Sequence, residues 1–373
     1  MTKLNFANGH NSDMFYRVGV HVPDPFFLLE KDDKQYVFLD SREYGVFQEH
    51  NENPNIECVL LDPIIARANK LTEDVSWQYK LGFHLLKMYD VLGVEIFIPA
   101  NFPVMMADYL RSKGAKLTPI SPFYPERLKK SAKEVAALRE SLVRTQKAFA
   151  LIEQVLRDST IEGDEIKYNG ETLTSELLKA RVEQVLLEQD MINIEGMIIS
   201  CGSQAAIPHH PGSGVLRPNQ TIICDIFPQH RATGYFADMT RTYVKGEPSE
   251  DVRNMYAAVL RAQETAMEKL RPGMKGKEVH QICVDIFAEL GYESNVGERG
   301  FCHGTGHGLG LDIHEEPFMR MVSEPVLEVG QVITVEPGLY YSEKGGVRIE
   351  DVVVVTADGC ENLTQYHKDY IIS

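Results

Sequence analysis

The feature that most constrains this chain is a set of polar residues placed inside apolar or glycine-rich segments of its C-terminal half. Its five members are Asp225 in IICDIF, Asp238 in GYFADMTRT, His307 in HGTGHGLGLDIH, Glu336 in ITVEPGLYY and Glu350 in GGVRIEDVVVV. Inward-facing strand positions normally hold apolar side chains, so carboxylates there need an explanation. If the fold gathers all five residues, two divalent metal ions are the natural source of compensating charge.

Strand periodicity supports a shared site. Because alternate residues of a strand face the same side, Thr334 and Glu336 should face together, and so should Arg348 and Glu350. Taken singly, each candidate has an ordinary explanation as a turn-forming aspartate, a solvated edge glutamate or a buried histidine. Several such carboxylates on separate predicted strands are better explained if they are buried together at one site.

Glycines alternate around His307, at Gly304, Gly306, Gly308 and Gly310. The sequence contains no G-x-G-x-x-G dinucleotide fingerprint, no G-x-x-x-x-G-K-[ST] phosphate loop and no H-E-x-x-H zinc motif. Alternating glycines suit a close approach of the backbone to a metal ion or a substrate. We therefore interpret this segment as part of a metal site rather than a nucleotide site.

The element pattern predicts two domains, 1–125 and 126–373. Strand and amphipathic helix candidates alternate in the first, which predicts a small α/β domain. The second repeats an order of two helices followed by paired strands, which predicts a pseudo-duplicated α+β domain with a site between its halves. Its predicted elements are helices Glu126–Arg157, Leu173–Gln189, Ser249–Leu270 and Lys277–Leu290 and strands Gly196–Ser200, Thr221–Phe227, Tyr235–Val244, Gln331–Tyr341 and Val347–Val355.

Composition excludes several classes of partner. The formal net charge is −16 over 373 residues with no basic block, which argues against nucleic acid or an anionic membrane as a partner. The polar N-terminus and the lack of any run of about 18 apolar residues predict neither a signal peptide nor a membrane span. The six cysteines form no C-x-x-C pair. We therefore expect a cytoplasmic protein with reduced thiols.

Four motifs give the chain a specific resemblance: D-x-T-R-T, H-G-x-G-H-G-x-G-L-D-x-H-E-x-P, T-V-E-P-G-x-Y and G-V-R-I-E-D. The chain resembles the pita-bread metallopeptidase superfamily, in its aminopeptidase P, prolidase and creatinase branch. The likeness covers roughly residues 130–373, and the region before it is similar to the N-terminal domain of that branch. It implies an α+β pita-bread catalytic domain preceded by a smaller creatinase/prolidase-like α/β domain.

The resemblance implies a site for two divalent metal ions. Asp225 would chelate one ion, while Asp238 and Glu350 would bridge both. His307 and Glu336 would complete the coordination of one ion. Manganese is the expected metal, with Co, Zn or Fe as alternatives. A bridging water or hydroxide would be the nucleophile, and Glu336 would shuttle its proton.

Further residues match positions near the active site of this family. His314 would polarise the scissile carbonyl or stabilise the oxyanion. His209, rather than His210, would line the substrate site. His303 and Arg348 would orient the substrate or the ligands. The resemblance also implies a homodimer.

Two segments depart from the usual pattern. Asp225 and Asp238 lie farther apart than is usual in the family, and the extra length falls in PQHRATG. We expect this segment to bulge outward as a turn without moving either ligand. With His230 and Arg231, it is expected to reshape the rim of the substrate pocket. A second segment, Ile161–Gly170, is predicted to form a surface hairpin.

We therefore expect a dinuclear metallopeptidase that cleaves the bond between an N-terminal residue and a following proline in di- or oligopeptides. A dipeptidase must bind the free carboxylate of the proline, whereas an aminopeptidase leaves that end open. Arg320, Arg231 and Arg348 are the candidate carboxylate partners. Two alternatives remain open, a metal-free creatinase-like amidinohydrolase and a catalytically inactive peptide-binding module. The presence of all five ligand residues argues against both.

Overall fold

The structure is a computed structural model that describes residues 1–68, 74–294, 297 and 299–372. It separates into two compact units, Met1–Pro125 and Glu126–Ser373. Pro125–Leu128 forms a short 3-10 helix. Within the described ranges, every helix is too short or too polar to cross a membrane.

The first unit is built on one mixed six-stranded sheet. Its strands are β1 (Thr2–Ala7), β2 (Phe26–Lys31), β3 (Lys34–Leu39), β4 (Ile56–Leu60), β5 (Glu95–Pro99) and β6 (Lys116–Ile120), and its helices are α1 (Ser12–Val18), α2 (Ser41–His50), α3 (Asp62–Ala68), α4 (Trp77–Met88) and α5 (Val104–Ser112). The strand order is β4-β3-β2-β1-β5-β6, with antiparallel pairing in the β1–β2–β3 meander and parallel pairing outside it. The predicted α/β character is confirmed.

The second unit contains four long helices and many short strands. Its helices are α6 (Ala132–Asp158), α7 (Ser175–Glu188), α8 (Glu250–Lys269) and α9 (Gly276–Glu289). Its strands are β7 (Thr160–Glu162), β8 (Glu165–Tyr168), β9 (Glu171–Thr172), β10 (Met191–Ile192), β11 (Met197–Cys201), β12 (Ile222–Ile226), β13 (Gln229–His230), β14 (Met239–Lys245), β15 (Gly306–Gly308), β16 (Glu315–Met319), β17 (Val332–Val335), β18 (Gly338–Tyr341), β19 (Gly345–Arg348), β20 (Asp351–Val355), β21 (Cys360–Asn362) and β22 (Ile371–Ile372).

The two largest sheets of this unit are each covered by a helix pair. The sheet β11-β12-β14-β22 shares a hydrophobic core with α6 and α7, and the sheet β16-β15-β17-β20-β21 shares another with α8 and α9. Strand β17 contributes Val332 to the first core and Ile333 to the second, and β20 does the same with Val352 and Val353. Because successive side chains of a strand face opposite sides, these central strands join the two halves. The predicted repeat of helix pairs and paired strands is confirmed.

Two predicted strands are interrupted where they carry candidate ligands, so their prediction as unbroken strands is wrong. The predicted strand Gln331–Tyr341 is divided into β17 and β18, with Glu336 between them. Pro337, the next residue, has no N–H to donate to a ladder. The predicted strand Val347–Val355 is divided into β19 and β20, with Glu350 between them. Each carboxylate therefore lies at a break in pairing rather than inside a strand.

Two other boundaries also differ from the prediction. Strand β14 begins later than predicted because the preceding residues form a turn in which the His230 N–H donates to the Tyr235 carbonyl at 3.0 Å. Helix α6 begins at Ala132 rather than Glu126, because Ser131 and Glu134 form a reciprocal capping box at its N-terminus. The predicted surface hairpin between α6 and α7 is confirmed as β7 and β8, with β9 added to it.

Candidate metal centre

Three of the five candidate ligands lie close enough to share one metal ion. Ligand atoms of Asp238, His307 and Glu350 all lie within 4.8 Å of one another, and all three residues are buried. Glu336 joins them, with Oε1 at 3.3 Å from His307 Nε2, and Asp238 Oδ2 lies 3.6 Å from the same nitrogen. Asp225 lies on the wall of the same cavity. All five residues are therefore brought together.

Neighbouring hydroxyl groups fix the ligands in position. The Thr240 hydroxyl donates to Glu350 Oε2 at 2.8 Å, and the Thr334 hydroxyl donates to Glu336 Oε1 at 3.0 Å. The Gly308 carbonyl lies 3.0 Å from His307 Nδ1. A carbonyl can only accept, so Nδ1 carries a proton and Nε2 is turned toward the carboxylates. These contacts hold the donor atoms of the site toward one another.

The electrostatics of the cluster show an excess of negative charge. Burial, together with the neighbouring Asp225, raises the pKa of Asp238 well above its usual range. Burial and the nearby Asp238 likewise raise the pKa of Glu350. Although burial opposes ionisation, the hydrogen bond and charge of His307 lower the pKa of Glu336 to about 2. Burial also opposes protonation of His307, but Glu336 raises its pKa to about 9. The single positive charge that His307 can carry is paired with Glu336 and cannot also balance the negative charges of the other buried carboxylates.

The state of Asp225 shows that the site fits divalent metal ions. Its Oδ2 accepts from the Arg348 guanidinium at 2.6 Å. Its Oδ1 is buried and has no hydrogen-bond partner among the described residues. A buried carboxylate oxygen without a partner is costly, and a metal ion would satisfy it. The donor set of carboxylate oxygens and one imidazole nitrogen suits Mn, Co, Fe or Zn.

A chain of hydrogen bonds connects Asp225 to His303 through two fixed side chains. Arg348 also donates to the Tyr340 hydroxyl oxygen at 2.6 Å. His303 Nδ1 lies 2.7 Å from the Gly304 carbonyl, so Nδ1 carries the proton, and Nε2 accepts from the Tyr340 hydroxyl at 2.9 Å. Burial lowers the pKa of His303 to about 4, which keeps its ring neutral. The guanidinium and the imidazole are thereby held in one orientation.

Sequence reasoning placed Thr334 on the same strand face as Glu336, but it assigned no supporting role to Thr334, Thr240 or Tyr340. All three lie inside the motifs that identify the site, T-V-E-P-G-x-Y and D-x-T-R-T. Their presence there was the available signal. The folded geometry shows the contacts, because Thr334 bonds to Glu336 two residues further along, whereas Thr240 bonds to Glu350 and Tyr340 bonds to Arg348 and His303 on other segments.

One cavity of about 560 Å³ brings together the nine residues that the resemblance assigns to the active site. They are Asp225, Asp238, His307, Glu336, Glu350, His209, His303, His314 and Arg348. The ring of His314 lies 4.4 Å from that of His307, at 62°. His209 is exposed on the cavity wall, whereas the Nδ1 of His210 accepts from the Gly212 N–H at 2.9 Å. Phe318 and Arg320 also line this cavity.

The longer segment between Asp225 and Asp238 packs away from the cavity. It forms β13, which pairs with β10 through Met191 and His230. His230 is buried, with its Nδ1 accepting from the N–H groups of two following residues. Arg231 pairs with Asp190 at 3.4 Å. The expectation that these two side chains reshape the rim is not met, since neither is among the residues that line the cavity.

Known proteins match both the sequence and the fold. Residues 136–357 match the model of metallopeptidase family M24. A Mycobacterium tuberculosis protein named "Probable dipeptidase PepE" is 31% identical over 292 residues, covering 78% of this chain and 68% of the relative. The Xaa-Pro dipeptidase of Pyrococcus furiosus is 40% identical over 175 residues, covering 47% of this chain and 48% of the relative.

Solved structures match over nearly the whole chain. The prolidase from Pyrococcus furiosus has a TM-score of 0.77 and 25% identity, covering 98% of this chain and 96% of that structure. The prolidase from Thermococcus sibiricus has a TM-score of 0.76 and 29% identity, covering 99% of this chain and 94% of that structure. The architecture described above is therefore the pita-bread fold of prolidases, with an N-terminal domain before it.

Proposed function

This chain belongs to metallopeptidase family M24, and from that membership we propose that it is an Xaa-Pro dipeptidase, which hydrolyses the bond between an N-terminal residue and a following proline. The observation that carries the proposal is the cavity in which five metal-ligand candidates, three histidines and Arg348 meet. The orphaned oxygen of Asp225 supports a metal in that cavity. The names of relatives support a substrate with proline after the first residue.

We propose that Asp225, Asp238, His307, Glu336 and Glu350 hold two divalent ions, with manganese as the resident metal. When bound, such ions lower the pKa of a water molecule and polarise the scissile carbonyl. The chemistry of the donor set supports this assignment. The raised pKa values of Asp238 and Glu350 also support it, because burial and the neighbouring carboxylates outweigh the positive charges near these two groups.

Glu336 is the proposed proton carrier. Its Oε1 is held by the Thr334 hydroxyl, so the carboxylate keeps a fixed direction toward the cavity. In the proposed reaction, Glu336 Oε2 accepts the proton of the attacking water. It then delivers this proton to the nitrogen of the proline as the carbon–nitrogen bond breaks. The two products are the free N-terminal residue and proline with a secondary amine.

Three histidines of the cavity, His314, His209 and His303, are proposed to bind or orient the substrate during this proton transfer. Burial lowers the pKa of His314, which favours the neutral ring, and its remaining N–H would donate to the oxyanion that forms at the scissile carbonyl. His209 is proposed to contact the bound peptide from the exposed wall of the cavity. His303 and Arg348, fixed through Tyr340, are proposed to orient the substrate and Asp225.

Arg320 is the proposed partner of the substrate carboxylate. Of the three candidates named from the sequence, Arg348 is engaged by Asp225 and Arg231 is paired with Asp190. Arg320 lines the cavity, and no carboxylate of the described residues lies within ion-pair distance of it. Its guanidinium carbon lies 4.7 Å from the centre of the Phe318 ring. This apolar ring and the neighbouring cation suit a proline with a free carboxylate.

Matched peptides test the proposal. The manganese-loaded protein is incubated with Ala-Pro and with Ala-Pro-Ala, and released alanine is quantified. Release from Ala-Pro alone supports the dipeptidase, and release from Ala-Pro-Ala alone replaces it with an aminopeptidase. The Glu336→Ala variant should release nothing. Absence of release from both peptides, with metal measured in the protein, would favour another amide substrate or the binding-module alternative, whereas a protein that binds no metal would favour the amidinohydrolase.

We propose that the catalytic domain is 126–373, that the chain forms a homodimer, and that it acts in the cytoplasm on dipeptides that end in proline. Light scattering of the purified protein measures the oligomeric state. A mass of one chain at micromolar concentration would contradict the dimer.

A further inference from the structure

We propose that the buried ion pair between Lys130 and Glu315 positions His314 for catalysis, a role that rests on the hydrolysis proposed above. Lys130 Nζ lies 2.8 Å from Glu315 Oε2, and the two side chains are only 2% and 7% exposed. Arg127 donates to the other oxygen of Glu315. A carboxylate buried with two cations has one well-defined geometry, and breaking its contact with Lys130 leaves the buried ammonium without compensation.

The Glu315 carboxylate fills the interior of the loop that precedes it. Its Oε1 accepts from the Asp312 N–H at 3.2 Å. Gly310 makes room for it, since a Cβ at that position would lie 2.7 Å from Glu315 Oε2. The loop is therefore folded around this carboxylate and held through it by Lys130.

The ion pair between Lys130 and Glu315 fixes the orientation of the His314 side chain. It directly precedes Glu315, the first residue of β16. Adjacent side chains at the start of a strand point to opposite sides, so Glu315 reaches Lys130 while His314 lines the cavity against His307. Fixing one side chain fixes the direction of the other. Lys130 and Glu315 are thus positioning residues, and His314 is the group that contacts the substrate.

Lys130 is itself held firmly. Its backbone N–H donates to the Gly330 carbonyl at 2.8 Å, and the next residue, Ser131, caps helix α6. The side chain of its neighbour Lys129 is not buried, because it pairs with Glu328 and both of those side chains are more than half exposed. Lys129 is therefore a matched control for a lysine removed from the same segment.

Kinetics of four variants test the proposal on the manganese-loaded protein. Lys130→Met and Glu315→Gln should each lower kcat about 10- to 100-fold, because a displacement of about 1 Å at a reacting group costs roughly this much. KM should change far less. Lys130→Arg should recover most of the rate, and Lys129→Met should behave as the unchanged protein. A kcat within about twofold of the unchanged protein in both Lys130→Met and Glu315→Gln would overturn the proposal.

A double-mutant cycle shows whether the pair acts through His314. In a His314→Ala background, Lys130→Met should have no further effect on kcat, since the group being positioned is gone. An equal loss in both backgrounds would mean that Lys130 acts elsewhere, and would overturn the proposal. Glu315→Gln keeps the shape of the side chain, so it covers the case in which Lys130→Met fails to fold.

Amide hydrogen exchange tests the positioning role of Lys130 independently of the proposed hydrolysis of Xaa-Pro peptides. Amides of residues 308–315 should exchange faster in Lys130→Met than in Lys129→Met, whatever the substrate is. Faster exchange without Xaa-Pro cleavage by the unchanged protein would contradict the reaction and support the positioning. Unchanged exchange in this loop would overturn the positioning even in an active enzyme.

Discussion

The guanidinium of Arg348 lies 2.6 Å from one oxygen of Asp225, while the other oxygen of Asp225 is buried without a hydrogen-bond partner in the described part of the chain. Arg348 thus compensates one side of this carboxylate and leaves the other for a cation. Its further contacts, to Tyr340, to the Pro208 carbonyl at 3.3 Å and to the Thr240 hydroxyl at 3.4 Å, keep it in place. The arginine therefore supports Asp225 before any metal ion binds.

Arg348→Met is expected to lower the free energy of unfolding of the metal-free protein by about 3–5 kcal/mol, because it leaves the buried Asp225 without its partner. Urea unfolding in the presence of a chelator measures this change. Arg253→Met is the control, since Arg253 pairs with Glu247 at the surface and its loss should cost less than about 1 kcal/mol. Equal losses for the two variants would contradict the assigned role of Arg348.

Arg320→Met is expected to raise KM for Ala-Pro about 10- to 100-fold, because a hydrogen bond to a charged group is worth about 1.5–3 kcal/mol. Steady-state kinetics with manganese measure the effect. Arg231→Met, which removes a cation outside the cavity, should leave KM unchanged. If Arg320→Met binds Ala-Pro as well as the unchanged protein does, another group must bind the carboxylate.

Tyr340→Phe removes the hydroxyl that connects Arg348 to His303. It is expected to lower kcat about 10- to 100-fold, the usual cost of losing a partner that orients an active-site group. Kinetics and calorimetric metal titration measure the effect on rate and on metal affinity. The neighbouring Tyr341→Phe removes a hydroxyl that contacts the Glu293 backbone, and it should change neither. Full activity in Tyr340→Phe would contradict the role of this hydrogen-bond chain.

His280 is expected to make the protein sensitive to mild acid. It is buried, with Nδ1 3.0 Å from the Thr305 hydroxyl, and burial lowers its pKa to about 4. In the unfolded chain His280 binds a proton near pH 6.5, whereas in the folded protein it stays neutral down to about pH 4. The free energy of unfolding therefore decreases as pH falls from about 6.5 to 4. Unfolding free energies across this range should show a loss of up to about 3 kcal/mol that His280→Phe reduces. An identical pH dependence in His280→Phe would contradict this assignment.

Motifs identified the site from sequence because its chemistry is concentrated in short segments. Asp238, His307 and Glu350 converge as expected, and each is recognisable as a polar residue in an apolar context. The breaks at Glu336 and Glu350 were not predicted, because both segments read as continuous β sequence. Pro337 was the visible signal for the first break.

Long-range pairings lay beyond sequence reasoning. Lys130 and Glu315 are 185 positions apart, and nothing local to either residue indicates its partner. The partners Arg348 and Asp225 are likewise not indicated by their local sequence. Pairing of β12 with β14 places Asp225 opposite Thr240, and Arg348 contacts the Thr240 hydroxyl. The turn that carries His230 was predicted as an outward bulge at the rim, but its pairing with β10 buries it instead.

Manganese titration of the metal-free protein, with proline release from Ala-Pro followed at each step, tests the central claim most directly. The account predicts that release rises with added metal and reaches its plateau at two ions bound per chain, counted by elemental analysis. Full release from the metal-free protein would contradict the account, and so would two bound ions with no release of proline.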